Sequence, residues 1–370
     1  MVDLKQQYAK IKHQIDAGIQ EVLDAAAFIN GPAVKAFTEE FGQYLGTRHV
    51  IPCANGTDAL QIAMMALGLE PGDEVITPSF TYIATTEVVA LLKLKPVFVE
   101  VDPLTFCIEP KALEAAITPR TRAIVPVHLY GQAAPMAEIL EIARRHNIPV
   151  IEDNAQAIGS TYTFPDGTTR KTGTMGQIGC TSFFPSKNLG CYGDGGAICT
   201  DDDALAAKMR MIANHGQSKQ YYHDTVGCNS RLDSIQAAIL RVKLRELDGY
   251  IAARRKAADF YDAAFKGHAK IRTPFRASYG HHVFHQYTLQ LEGASRDDLK
   301  AFLAEHGIPA MIYYPVPGHR QKMFIGEGKP EVHLDVTDSL TEKVISLPMH
   351  TELDEEQLFQ ITGKILEFLH

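Results

Sequence analysis

A lone lysine follows an apolar run and precedes a glycine-dense stretch, in Cys180-Thr-Ser-Phe-Phe-Pro-Ser-Lys187-Asn-Leu-Gly190-Cys-Tyr-Gly193-Asp-Gly195-Gly196. A lysine in a loop is ordinarily a solvated charge. At the end of a core strand it is partly desolvated instead. Its pKa then falls, and the neutral amine can form a Schiff base with a carbonyl. The glycines permit tight turns and close backbone approach. Their spacing is neither GxxxxGK[ST], which cradles nucleoside triphosphates, nor the dinucleotide GxGxxG.

Three further segments carry chemistry of a matching kind. In Pro149-Val-Ile-Glu-Asp153-Asn-Ala-Gln156, two acids end an apolar strand. An acid on the crevice edge of a sheet can hold a proton on a ligand's ring nitrogen; the alternative is a solvated loop acid or a helix N-cap. In Ala54-Asn-Gly56-Thr57-Asp58, a strand gives way to an amphipathic helix, whose free amides and dipole form an anion site. An ordinary N-cap is the other reading. In Thr77-Pro-Ser-Phe-Thr-Tyr82, an aromatic after a strand either stacks on a flat ligand or packs in the core.

Two clusters point elsewhere. His281, His282 and His285 have a metal-like spacing, but His285, Tyr287, Leu289 and Leu291 alternate as a strand does. Cys180 and Cys191 flank the lysine motif without an identifiable base, so both read as buried structural thiols.

The elements that must position these residues follow from the apolar pattern. Short apolar runs occur at 49–54, 74–78, 96–101, 123–128, 149–152, 179–184 and 197–200. Helix-like stretches at 58–69, 84–92, 111–116, 136–146 and 203–214 separate several of them. Continuous Val/Ile runs alternating with helices predict a mostly parallel sheet covered on both faces, a three-layer α/β/α architecture. Ligands of such sheets sit at the carboxyl ends of the strands, where the four motifs fall. Residues 233–265 read as one or two long helices, 285–291 as a strand, 296–305 and 355–369 as helices, and 313–317 as extended. The expected organisation is a large domain over 1–245, opened by a helix and a turn at Asn30-Gly31-Pro32, and a smaller α+β domain over 246–370.

Composition narrows the function. The chain has 370 residues, with 36 Lys+Arg against 44 Asp+Glu and a formal net charge of −8. The acidic balance argues against nucleic acid as a partner. No segment reaches the ~18–20 apolar residues of a membrane span, and the N-terminal stretch is polar. Six cysteines without a CxxC pair fit reduced thiols, and the expected compartment is the cytoplasm.

Each motif alone is a weak signal, but their order is specific. Gly-Thr at a helix start, an aromatic, Asp-x-x-Gln, Ser-x-x-x-x-Lys and Asn-x-Arg together resemble the DegT/DnrJ/EryC1/StrS sugar aminotransferase family. The resemblance runs from Asn30-Gly-Pro to Ser346-Leu-Pro-Met and is densest in 151–160, 181–197 and 227–240. It implies a pyridoxal 5'-phosphate enzyme of fold type I, the aspartate aminotransferase fold. It implies that Lys187 holds the cofactor and moves the proton, that Asp153 pairs with the pyridinium nitrogen, and that Gln156 contacts the ring's phenolate oxygen. Tyr82 matches the stacking aromatic, and Gly56, Thr57 and Ser182 match phosphate ligands. Asn229 matches a residue reaching the phosphate of the neighbouring subunit, which implies a homodimer with shared sites. Arg231 is placed to bind a carboxylate, and Tyr313, Tyr314 and His319 fall where the family contacts the sugar nucleotide.

The chain departs from the pattern at Asn154, where Ala is usual, at Tyr313, which replaces a His, and at Gly318, which replaces a larger apolar residue. A lysine at 187 separates it from the family's dehydratase branch, which carries His. The resemblance thus implies a ping-pong transaminase: L-glutamate donates, and a nucleotide-linked keto sugar accepts. The segments at 53–61, 181–196, 215–217 and 229–233 look most like enzymes that aminate UDP-2-acetamido-2-deoxy-3-oxo-glucuronate for bacterial surface polysaccharide, including lipopolysaccharide O-antigen. The alternatives are another NDP-3-keto or 4-keto hexose as acceptor, a fold-type I desulfurase or lyase, and a non-catalytic regulator that retains the cofactor.

Overall fold

The structure, a computed structural model, describes residues 1–326 and 331–370. The apolar runs become strands β1 (His49–Cys53), β2 (Glu74–Pro78), β3 (Lys95–Val99), β4 (Thr121–Ile124) and β5 (Ile151–Asp153). A small hairpin of β6 (Thr161–Thr163) and β7 (Thr169–Lys171) precedes β8 (Ile178–Ser182) and β9 (Gly196–Thr200). Bridges from Ile124 to Val150 and from Val127 to Asp153 join two smaller sheets, so the strands run across in the order β1-β9-β8-β5-β4-β2-β3. Every neighbouring pair is parallel except those of β9, which is antiparallel to β1 and to β8. The mostly parallel expectation holds. The exception reflects the connection between β8 and β9: residues 183–195 contain no crossover helix, and the glycine-rich loop turns the chain back directly.

Helices α3 (Gly56–Leu67), α4 (Ala84–Leu91), α5 (Pro110–Ala115), α6 (Met136–His146) and α7 (Asp203–Ala213) connect these strands, each within a few residues of its expected range. They complete the three-layer α/β/α architecture. The N-terminal stretch forms α1 (Leu4–Ala25), capped by the Asp3 carboxylate on the Gln6 amide. After the Asn30-Gly31-Pro32 turn the chain enters α2 (Pro32–Leu45), a helix the sequence reading passes over. Pro32 sits in its first turn, where a missing N–H costs nothing, and Val34, Phe37, Phe41 and Leu45 form its buried stripe. Phe37 and Phe41 stack at 5.4 Å and both meet the edge of Phe183. This aromatic cluster packs beneath the turn that carries Lys187.

A short ribbon, β10 (Gln217–Lys219) with β11 (Tyr222–His223), precedes α8 (Ser234–Phe265), one unbroken helix of 32 residues. The expected boundary at 245/246 lies inside it. The helix changes cores along its length: Leu240, Leu244, Leu247 and Ile251 pack with Phe37 and Phe183, whereas Ala257, Ala258, Tyr261 and Phe265 pack with the C-terminal elements. Those elements are the antiparallel strands β12 (Ile271–Arg272), β13 (Tyr287–Leu291) and β14 (Val344–Leu347), with helices α9 (Arg296–Glu305), α10 (Asp335–Lys343) and α11 (Glu355–Leu369). The histidines at 281–285 lead into β13; His282 stacks on Phe284 with centroids 3.9 Å apart.

At the end of the sheet remote from the motifs, Glu74 is 1% exposed and is gripped by Lys95, Arg120 and Thr118. Burial opposes its charge, but the donated hydrogen bonds outweigh burial and hold the carboxyl down at about 2. A depressed carboxyl contributes stability above its unfolded value of ~4.3, which disappears as pH falls through the folded value. Glu74→Gln should therefore lower the unfolding free energy at about pH 7 more than at about pH 3 in urea titrations. Phe37→Ala should cost about 3–5 kcal/mol by the same measurement, since a wholly buried ring leaves a cavity among Phe41 and Phe183.

Candidate active site

Lys187 follows β8 and is held by its backbone, its amide donating to the Phe184 carbonyl at 2.9 Å. The turn is tight: a Cβ at Gly190 would lie 2.5 Å from the Pro185 carbonyl oxygen. Lys243, a buried residue of α8, donates to the Gly190 carbonyl at 2.8 Å from below. In this setting burial lowers the Lys187 ammonium to about 8, against the Asp153 carboxylate, which pulls the other way. The amine is thus free in mildly alkaline solution, as a lysine nucleophile requires.

Asp153 ends β5 with 6% exposure. Its Oδ2 accepts from Thr85 Oγ1 at 2.7 Å and its Oδ1 from the Ala155 amide at 3.1 Å. Strand alternation sends its neighbour Glu152 to the opposite side. Glu152 is wholly buried, accepts from the amides of Gly173, Met175 and Gly176, and lies 2.8 Å from His128 Nε2. The Ala134 amide donates to His128 Nδ1 at 3.0 Å, so the ring proton sits on Nε2 and points at Glu152. Burial opposes the Glu152 charge, yet His128 and the amides together hold its carboxyl below the usual range. The two acids divide the work. Asp153 faces the crevice, and Glu152 anchors the strand end behind it.

Gln156 joins this group. Its Oε1 accepts from the Tyr130 amide at 2.8 Å, and its Nε2 donates to Tyr314 Oη at 2.9 Å. Tyr314 lies 6.2 Å from the ring of Tyr82. Tyr82 itself is 57% exposed, whereas Asp153 and Gln156 are buried. Tyr313 is partly buried, and Tyr130 Oη donates to its carbonyl.

Gly56 and Thr57 open α3. The Asn55 side chain accepts from the Asp58 amide and the Asn55 carbonyl from Ala59, leaving the first two amides without an intrahelical acceptor. A Cβ on Gly56 would come within 2.7 Å of Ser182 Cβ, so only glycine allows the helix start to sit on the end of β8. Free amides, a helix dipole and the Ser182 hydroxyl together make an anion cradle.

The segment 229–232 threads past this cradle. Ser230 Oγ donates to Asp58 at 2.6 Å and accepts from the Ala54 amide at 2.9 Å. Its exposed neighbour Asn229 accepts from Arg231 Nε at 2.8 Å. Among the described residues no carboxylate pairs with Arg231.

His319 stands apart. It is 4% exposed, with Nδ1 2.7 Å from Ser79 Oγ and Nε2 3.2 Å from Asp338. Nδ1 is bonded to Ser79, Nε2 lies beside the Asp338 carboxylate without an aligned hydrogen bond, and the ring sits between the end of β2 and α10. Gly318 beside it donates to the Ser79 carbonyl, and a Cβ there would meet Phe98 at 2.8 Å, which explains the missing larger residue. Asn154, another of the three departures, donates to the Thr172 carbonyl at 2.9 Å and so ties β5 to the loop before β8.

A nucleophilic lysine, a buried acid, an amide side chain, an exposed ring and an anion cradle suit an aromatic phosphate that carries an aldehyde. A model of the DegT/DnrJ/EryC1/StrS aminotransferase family matches residues 9–366. The chain belongs to this family. It is 49% identical over 95% of its length to a Pseudomonas aeruginosa UDP-2-acetamido-2-deoxy-3-oxo-D-glucuronate aminotransferase, of which 95% is covered. It is 46% identical over its whole length to an Acidithiobacillus ferrooxidans UDP-N-acetyl-3-dehydro-alpha-D-glucosamine 3-aminotransferase, of which 98% is covered. The crystal structure of S. venezuelae DesV in complex with a ketimine intermediate superposes with a TM-score of 0.94 at 40% identity, covering 99% of this chain and 97% of that one. Fold type I and the aminotransferase class, with pyridoxal phosphate as cofactor, thus stand as the motifs implied.

Sequence reasoning missed Thr85, Tyr130, Lys243 and the His128 partner of Glu152. Thr85 stands three residues after Tyr82 in the same motif, a signal available in advance. The others come from elements distant in sequence.

In the cofactor-free protein Lys187 should react with an amine-directed reagent with a half-maximal rate near pH 8, whereas surface lysines should require pH above ~10. Peptide mapping by mass spectrometry across pH separates them; a Lys187 profile matching the surface lysines contradicts the assignment.

Proposed function

We propose that the protein transfers the amino group of L-glutamate to UDP-2-acetamido-2-deoxy-3-oxo-D-glucuronate, giving the 3-amino sugar for surface polysaccharide such as lipopolysaccharide O-antigen. The observation that carries the reaction class is a desolvated Lys187, its ammonium lowered to about 8, at the end of β8 with the Asp153 carboxylate near enough to act on its charge. When bound, pyridoxal phosphate supplies a conjugated ring that takes up the electron pair left by a broken C–H bond. Lys187 would hold the cofactor's carbonyl carbon, and its amine would serve as the group that moves the proton between the two carbon sites. Asp153 keeps the ring nitrogen protonated, and Thr85 and the Ala155 amide hold its carboxylate in place. Gln156 orients the ring through its phenolate oxygen. Gly56, Thr57 and Ser182 bind the phosphate, and Tyr82 covers one face of the ring.

The acceptor is assigned from the 3-oxo sugar relatives and from Arg231. A uronate and the γ-carboxylate of glutamate both need a cationic fork. Arg231 has the free guanidinium edge for both, and in a ping-pong cycle the two substrates never compete for it. Tyr313 and Tyr314 line the sugar side, and His319 holds the Ser79 turn beside them.

The site is completed by a second copy of the chain. Phe28, Ile29, Phe184, Tyr221, Tyr222 and Val226 are all exposed. They flank the same strip of chain: Ile29 bridges Asp233, Phe184 follows Ser182, and 221–226 lead into Asn229. Exposed apolar residues gathered in this way mark an interface, and Asn229 at its centre reaches the partner's phosphate. Among the described residues no helix is long and apolar enough to cross a membrane. The proposed compartment is the cytoplasm, where nucleotide sugars are made.

L-Glutamate added to the holoenzyme should bleach its visible band and release 2-oxoglutarate. A panel of nucleotide keto sugars should then yield the 3-amino uronate, with UDP favoured over dTDP. Lys187→Ala should lower turnover by about a thousandfold or more; turnover at the wild-type rate refutes the mechanism. Arg231→Ala should lower kcat/KM by about 10–100-fold while cofactor affinity changes by about twofold or less. Amination of a neutral 4-keto hexose with none of the 3-oxo uronate refutes the acceptor but not the reaction class.

A further inference from the structure

We propose that Thr85 is a positioning residue for Asp153, the end of a two-hydroxyl relay that sets how firmly that carboxylate holds the cofactor's ring-nitrogen proton. This rests on the reading that Asp153 faces the ring nitrogen.

The relay has a fixed direction. Thr85 is wholly buried on the first turn of α4, and Thr81 just before it is 6% exposed. An ionised carboxylate only accepts, so Thr85 must donate its one hydrogen to Asp153 Oδ2, 2.7 Å away. At the 3.2 Å contact between the two threonines, Thr81 is therefore the donor and Thr85 the acceptor. Thr86 next in sequence behaves differently: its hydroxyl bonds back to the Ile83 carbonyl at 3.1 Å, the usual resort of a helical threonine. Thr85 forgoes that bond for a carboxylate from a different element. A buried hydroxyl is tolerated only with a partner, and valine would fill the same volume without needing one.

Two consequences follow. With Oδ1 taken up by the Ala155 amide and Oδ2 by Thr85, the carboxylate plane is fixed, and the remaining lone pairs of Oδ2 point in one direction. Donors to a carboxylate also favour its charged form, so removing one lets the carboxylate draw the shared proton from the ring. The ring becomes less cationic, and the conjugated group at Lys187 titrates at higher pH. The same turn carries Tyr82, whose carbonyl accepts from the Thr85 amide at 3.3 Å. One helical turn thus registers the ring's face and the partner of its nitrogen together.

The test is a pH titration of the visible band of the purified holoenzyme, with kcat, KM and the cofactor dissociation constant. Thr85→Val should move the midpoint upward by about half a pH unit or more and lower kcat by about tenfold. KM should stay within about threefold, and cofactor binding should weaken by about tenfold. Thr85→Ser, which keeps the hydroxyl, should restore all of these to within about twofold. Thr81→Val should move the midpoint the same way by less. Asp153→Asn separates this proposal from the one beneath it. If Asp153→Asn shifts the midpoint while Thr85→Val and Thr81→Val leave it at the wild-type value, the relay is overturned and the Asp153 reading stands. If Asp153→Asn leaves it unmoved, the Asp153 reading falls and the relay with it. Should Thr85→Val fail to fold, Thr85→Ala and Thr81→Val replace it, with the same supporting and overturning outcomes.

Discussion

Burying two adjacent carboxylates at the end of one strand is the constraint around which the molecule is organised. An unpaired buried carboxylate costs several kcal/mol, so each must find donors that the strand itself cannot supply. Glu152 draws on three amides of the loop before β8 and on His128 after β4. Asp153 draws on Thr85 from α4 and on Ala155. The central strand ends, the first turn of α4 and the loop at 173–176 are fixed relative to one another by these few bonds. The crevice takes its shape from that fixing.

The glycines serve the same end by removing volume. Gly56 lets α3 start on Ser182, and Gly190 lets the Lys187 turn close on itself. The start of α3, the end of β5 and the turn after β8 are thereby held close together as rigid pieces. Rigid support of this kind keeps reacting atoms in register at little entropic cost during the reaction. The amine of Lys187 is poised by the same enclosure that packs Phe37, Phe41 and Phe183 beneath it.

Much of this was legible along the chain because the signals were local. Strand runs, helix starts and the order Gly56-Thr57, Tyr82, Asp153, Gln156, Lys187, Asn229, Arg231 depend on nearest neighbours and fixed spacing. Helix α2 was passed over although its stripe of Val34, Phe37, Phe41 and Leu45 and its Gly31-Pro32 start are local signals. Other features depend on more than nearest neighbours. The expected boundary at 245/246 lies within α8, a helix that serves two cores with one periodicity throughout. His319 sat in the right motif, yet its ring lies against Ser79 and Asp338, 240 and 19 positions away in sequence.

The sequence by itself determined the reaction class and the residues that could perform it, since a lysine after a strand and an acid at a strand end are statements about short stretches of chain. Only the tertiary structure decided which of the two acids faces the crevice, that Thr85 and not Thr86 serves it, and that Glu152 is the anchor. Those outcomes depend on hydrogen bonds between elements 20 to 70 residues apart. Such bonds form only once the sheet has set its order and the core has removed the competing water.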